Sequence, residues 1–169
     1  MQADGKLDTK EVMFMKAAVF SDTHGNTARM AAKVAEVRPD VILHLGDHDR
    51  DTGILRQRFP EIPLYSVCGN CDYGSQEPVS RVVSLGPVRA FLTHGHMYNV
   101  RWSVDSLVYA AQEQECKLAL YGHTHEADSQ DIGGVKVVNP GTAGMGRKLT
   151  WALITVFDNG GIAVEIQEL

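Results

Sequence analysis

The sequence predicts a mixed α/β domain, with a parallel sheet laid down first and a mostly antiparallel second half. Two patterns predict it. Over residues 16–69, short apolar runs alternate with helix-forming stretches in the order β-α-β-α-β, which calls for parallel strands. Beyond residue 80 the runs are separated instead by tight-turn signals: Gly86-Pro87, Gly133-Gly134 and Asn159-Gly160-Gly161. The chain's 169 residues are one domain's worth, enough to bury a real core.

Each element follows in turn. Residues 1–14 are polar and without clear pattern, and are read as a poorly ordered leader ahead of a single domain, 15–169. KAAVFS (16–21) is a buried strand. TARMAAKVAEVR (27–38) is rich in helix formers and stops at Pro39, with Asn26 placed to cap it. VILHLG (41–46) is the second strand, and His44 inside it reads as a packed core histidine. TGILRQRF (52–59) is a short helix with Asp51 as its expected N-cap. PLYSVCG (63–69) closes the first sheet. RVVSLG (81–86) and PVRAFLTHG (87–95) form a hairpin, and SVDSLVYAAQEQE (103–115) is a helix capped by Ser103. KLALYG (117–122) is another parallel-type strand, and two more hairpins follow.

Composition excludes several classes. Net charge is −5, so the chain lacks the basic footprint of a general nucleic-acid or membrane-surface binder. No apolar run is long enough to cross a membrane. The first residues lack the basic-then-apolar layout of a secretory signal, and the cytoplasm is the expected location. Three cysteines, Cys68, Cys71 and Cys116, do not make a disulfide framework. Cys68-x-x-Cys71 lies at a strand end rather than at the start of a helix, which argues against a redox dithiol.

The functional signal is a repetition. Five β-prone runs end in ligand-type side chains: AAVFSDTH in Asp22 and His24, VILHLGDHD in Asp47, His48 and Asp49, YSVCGNCD in Asn70, Cys71 and Asp72, AFLTHGH in His94 and His96, LALYGHTH in His123 and His125. All seven histidines lie in or beside these junctions. Carboxyl ends of strands are where α/β sheets build sites. Imidazole, carboxylate and amide oxygen together suit divalent metals of the Mn²⁺, Fe²⁺, Co²⁺, Ni²⁺ and Zn²⁺ group, and the donors suffice for two ions. Two such ions bring four positive charges, of which Asp22 and Asp47 neutralise two. The remainder matches a hydroxide and a singly charged phosphodiester.

DTH at 22–24, GD at 46–47, GNCD at 69–72, HGH at 94–96 and GHTH at 122–125, in this order, resemble the calcineurin-like metallophosphoesterases, and most of all the small prokaryotic phosphodiesterases with GNCD. The likeness runs from about residue 15 to about residue 147 and includes NPGTAGMGR. It implies a four-layer αββα sandwich. It also implies that Asp22, His24 and His125 hold one metal, that Asn70, His94 and His123 hold the other, and that Asp47 bridges them. Mn²⁺ is the ion expected first, with Zn²⁺, Fe²⁺, Ni²⁺ or Co²⁺ as alternatives. The implied reaction is in-line attack on a small phosphoester by a metal-activated hydroxide, with Asp47, Asn70 and His94 central to catalysis.

Two departures stand out. Cys71 replaces the histidine that many members carry after the motif's asparagine, and a thiol is a poorer charge stabiliser than imidazolium. Arg50 stands where the wider family's second acid falls, and the acid sits one residue earlier, at Asp49. Cys71, His96, His48 and Arg147 are read as substrate-contacting candidates. Trp102 and Tyr98 flank the HGH loop as pocket-lining or packing side chains. The competing reading is a binding scaffold like the retromer subunit that shares this fold. A homo-oligomer is left open. An amidohydrolase barrel needs about 250 residues, more than this chain has.

Overall fold

The computed structural model describes residues 13–169. The expected leader therefore lies outside the described residues up to position 12. At its far edge the prediction is corrected, because the first strand, β1 (Phe14–Phe20), already includes Phe14, paired with Phe157. β1 is followed by α1 (Thr27–Val37), β2 (Val41–His44), α2 (Thr52–Arg58) and β3 (Leu64–Ser66). Then come β4 (Ser80–Leu85), β5 (Val88–Thr93), α3 (Asp105–Glu113), β6 (Leu118–Leu120), β7 (Asp128–Ile132), β8 (Val135–Asn139), β9 (Thr150–Phe157) and β10 (Ile162–Glu168). Short 3₁₀ turns occupy Asp49–Asp51 and His96–Tyr98.

The strands form two five-stranded mixed sheets, in the orders β10-β9-β1-β2-β3 and β4-β5-β6-β8-β7. β1, β2 and β3 run parallel, as do β5, β6 and β8. β9 returns antiparallel to β1, so the chain's end completes the sheet that its beginning started. Strand alternation explains the layers. Ala17, Val19, Val41 and Leu43 face inward and meet Val83, Ala90, Leu92 and Leu120 of the second sheet. Ala18, Phe20 and Ile42 face outward and are covered by Met30, Ala31 and Val34 of α1 and Leu55 of α2. Phe91, Ala119 and Val137 face out on the other side beneath Leu107, Val108 and Ala111 of α3. The result is the four-layer αββα sandwich. Truncating a side chain such as Leu92 in the central layer removes contacts from both sheets, at a cost of about 2–5 kcal/mol.

α1 and α2 start where expected, but the capping side chains bond elsewhere. Asp51 holds the N-cap position of α2 without a side-chain cap bond, and its Oδ2 accepts from Thr23 Oγ1 and the Gly25 N–H, both at 2.7 Å. Asn26 holds the N-cap position of α1, but its side chain reaches the Ala143 carbonyl at 3.4 Å instead. The cap position of α3 falls on Val104, although Ser103 Oγ still accepts the Asp105 N–H at 3.1 Å. Among the described residues, no helix is long and apolar enough to cross a membrane.

Candidate metal centre

The loops that follow β1, β2, β3, β5 and β6 open at the same end of the sandwich, and their donors meet. One donor atom each from Asp22, His24, Asp47 and His125 lie within 4.8 Å of one another. His94 Nε2 is 3.5 Å from Asp47 Oδ2 and 3.9 Å from Asp22 Oδ1. The His123 ring stands 5.1 Å from the His94 ring, and the His123 N–H donates to Asp22 Oδ2 at 3.2 Å. Asn70 is attached less directly. Its exposed amide donates to Cys71 Sγ at 3.5 Å, while the Cys71 N–H donates to Asp47 Oδ1 at 2.9 Å.

The wiring leaves particular atoms free. His94 Nδ1 donates to the Leu45 carbonyl at 2.8 Å, which puts the imidazole lone pair on Nε2, facing the two carboxylates. Asp22 Oδ2 accepts from Ser21 Oγ at 2.6 Å as well as from the His123 N–H, while Oδ1 accepts no hydrogen bond and lies 3.0 Å from His125 Nε2. Asp22 Oδ1, His24 Nε2 and His94 Nε2 are all buried without a hydrogen-bond partner. Buried polar atoms are normally satisfied. Three unsatisfied acceptor-type atoms turned toward one centre fit a cation.

Charge runs the same way. Burial alone would raise the Asp47 carboxyl, but His94 and the Cys71 N–H outweigh it and hold Asp47 well below the usual carboxylate range. Burial lowers His94, yet Asp47 and Asp22 overcome it and raise that imidazole, so the two acids draw positive charge to this point. Burial lowers His24. Burial, with His94 and Arg101, pushes His123 down to about 4, which keeps it neutral with a lone pair to give at pH 7.

Holding these groups together costs backbone strain. Asp22, His24, Asp47, His123 and His125 all have φ between 44° and 69°, a left-handed region that such residues seldom adopt. The surroundings enforce it. The Asp72 carboxylate accepts four backbone N–H groups, from Asp47, His48, Asp49 and Gly69, at 2.7–3.1 Å, and so ties the loop carrying Asp47 to the loop carrying Asn70. Gly69 must be glycine, since a Cβ there would collide with Asp47 Oδ1. Asn139 of NPGT donates to the Gly122 carbonyl and Thr124 Oγ1 at 3.1 and 2.9 Å, and Thr142 Oγ1 donates to the Asp22 carbonyl at 3.1 Å. NPGT is thus a buttress behind the loops that carry Asp22 and His123 rather than only a turn.

The other candidates are placed as follows. His48 lies beside the cage, its ring 4.8 Å from that of His24. His96 stands 5.5 Å from His94, with a buried, unpartnered Nδ1. Cys71 is exposed, and burial of its sulfur with the neighbouring Asp47 pushes its thiol up to about 11. The Asp49 carboxylate accepts a hydrogen bond from Ser75 Oγ. Arg147 is exposed and makes no hydrogen bond or ion pair to the cage among the described residues. Tyr98 packs edge-on against Phe91 at 5.9 Å, whereas Trp102 is 92% exposed. Asp72, counted in the sequence among the ligand-type side chains, instead spends its carboxylate on backbone N–H groups of two loops. Arg101, which donates to His123 Nε2 at 3.0 Å, escaped the sequence reading, having no local signal at all.

The family model described as the calcineurin-like phosphoesterase superfamily domain matches residues 15–159. The chain belongs to the calcineurin-like phosphoesterase superfamily. Membership carries metal-dependent phosphoester hydrolysis as its coarse activity. Among relatives of this phosphoesterase, the probable metallophosphoesterase YsnB of Bacillus subtilis is 29% identical over 131 residues, covering 76% of this chain and 75% of that protein. Phosphodiesterase MJ0936 of Methanocaldococcus jannaschii is 25% identical over 146 residues, covering 75% of this chain and 83% of its own. Vacuolar protein sorting 29 of Cryptosporidium parvum superposes with a TM-score of 0.71 over 92% of this chain and 98% of that one, at 18% identity, a likeness of fold alone.

Proposed function

We propose that this phosphoesterase hydrolyses small phosphodiesters with a pair of divalent ions, Mn²⁺ first among them. Asp22, His24 and His125 would hold one ion, Asn70, His94 and His123 would hold the other, and Asp47 would serve both. Such ions, when bound, would make a hydroxide nucleophile available for in-line attack and offset the charge of the ester. The observation that carries this reading is the set of buried, unpartnered atoms Asp22 Oδ1, His24 Nε2 and His94 Nε2 facing one centre. The chain's residues do the rest. Leu45 fixes the His94 tautomer, Asp72 sets the Asp47 loop, and Ser21 orients Asp22. Cys71 is a neutral thiol with no charge to give a departing alkoxide, so diesters of acidic alcohols are the favoured substrates. The name of the Methanocaldococcus relative supports a diester over a monoester. The cytoplasm is the proposed setting, where three free cysteines stay reduced.

The test is hydrolysis of bis(4-nitrophenyl) phosphate with Mn²⁺, wild type against Asp47→Ala. Wild type turns over, while the variant loses at least about 1,000-fold in kcat together with bound metal. Near-native turnover by the variant would refute the two-ion mechanism. The second reading, a partner-binding scaffold, draws on the fold likeness to vacuolar protein sorting 29. Metal-loaded wild type that is inert on both diesters and monoesters would favour it.

A further inference from the structure

Arg101 stands exposed between the His96–Tyr98 turn and α3, and its guanidinium reaches back to the cage. Nε donates to His123 Nε2 at 3.0 Å and Nη2 to the His123 carbonyl at 3.4 Å. Among the described residues it forms no ion pair with a carboxylate, unlike Arg56, Arg81, Lys136 and Lys148. With Trp102, Tyr121, Thr124, Glu126 and Asp128 it lines a groove of about 740 Å³ that opens beside the His123–His125 loop.

The hydrogen bond to His123 has a chemical consequence. A neutral imidazole has one nitrogen that donates and one that accepts, and an arginine can only donate. The bond from Arg101 therefore makes Nε2 the acceptor and leaves the proton on Nδ1. A metal ion also needs the accepting lone pair. An ion on Nε2 takes the place of the Arg101 N–H. An ion on Nδ1 sends the proton to Nε2, which then faces that N–H donor to donor. In both cases a metal-bound His123 cannot keep this bond. The contact from Nη2 to the His123 carbonyl does not compete with an ion, so the guanidinium can remain at the mouth of the groove with an unused donor edge.

From this we infer that Arg101 binds the substrate's phosphate, because its Nε–H cannot be spent on a His123 that holds an ion. The inference builds on the proposed phosphodiesterase reading, but it concerns an anion site that exists whether or not turnover follows. Bidentate guanidinium–phosphate contacts are among the stronger charge-assisted hydrogen bonds. An ester whose phosphate sits between the cage and Arg101 has one arm over the groove, against Trp102.

The test is calorimetry on the full chain with two probes. Inorganic phosphate is titrated into Mn²⁺-loaded wild type, Arg101→Ala and Arg101→Lys. Arg101→Ala is expected to weaken phosphate binding about tenfold, and Arg101→Lys to recover part of the loss. Mn²⁺ alone is then titrated into the metal-free proteins, and Arg101→Ala is expected to bind it at least as tightly as wild type, because a competitor for His123 is gone. Equal phosphate affinity in all three proteins, or no phosphate binding by wild type, overturns the inference. So does weaker Mn²⁺ binding by Arg101→Ala, which would make the arginine a mere support for His123. Arg101-dependent phosphate binding in a protein that hydrolyses no ester would uphold the anion site and sink the diesterase reading instead.

Discussion

Two histidines at strand ends are both fully buried, yet they belong to different chemistries. His44, at the end of β2, has both ring nitrogens engaged: Nδ1 accepts the Gly46 N–H at 3.2 Å, and Nε2 meets Thr23 Oγ1 at 3.1 Å. Thr23 passes the chain on to Asp51 at 2.7 Å. His94, just past β5, has only one nitrogen engaged, and the other points at Asp22 and Asp47. Burial, residue type and position at a strand end are the same for both. The unspent lone pair makes one a candidate ligand and the other a strut.

Breaking the ligand has the largest expected effect. His94→Gln keeps a polar group of similar size but loses the aimed lone pair, and should lower diesterase kcat by about 1,000-fold along with one metal equivalent. Metal analysis of the purified variant checks it. His44→Gln should leave metal content at the wild-type level.

The strut shows itself in stability. Burial holds His44 at about 4 in the folded chain, below the roughly 6.5 of an unfolded histidine. The unfolded chain thus takes up this proton first. The contribution is complete above pH 6.5 and is lost as pH falls toward 4, about 3 kcal/mol in all. Urea unfolding between pH 7 and 4.5 should show a steeper loss for wild type than for His44→Gln. An identical slope would remove His44 as the source.

The loop clamp comes next. Asp72→Asn retains one acceptor oxygen but turns an NH₂ toward backbone donors, so some of the four N–H groups lose their partner. A fall in kcat of roughly 30-fold is expected, with Asp72→Glu recovering less than half of it. Steady-state kinetics at saturating Mn²⁺ separates this from weaker metal binding. The smallest effect belongs to Cys71→His. An imidazole there can carry charge where the thiol does not, and the ratio of rates on poor and good leaving groups should rise about three- to tenfold. An unchanged ratio would mean that position 71 has no hand in leaving-group departure.

Much of this was legible in the sequence. The hydrophobic runs 16–21, 41–46 and 117–122 are strands, Gly133-Gly134 and Asn159-Gly160 are turns, and the five ligand-bearing junctions stand at strand ends. These are local properties, set by period and by the backbone freedom of single residues. The cap positions of α1 and α2 were legible too, but not what their side chains bond. Asp51 stands at the cap position, yet Thr23, 28 residues earlier, takes its carboxylate.

By itself, then, the chain's order of residues determined which donor types stand at which strand ends, because side-chain chemistry and strand period travel with contiguous residues. Only the tertiary structure decided which nitrogen of each histidine is spent. His94 is wired to Leu45 across 49 positions, Asp72 to the Asp47 loop across 23 to 25, and Arg101 to His123 across 22. Hydrogen bonds of that span depend on how two sheets stack and five loops meet, and no local pattern encodes that.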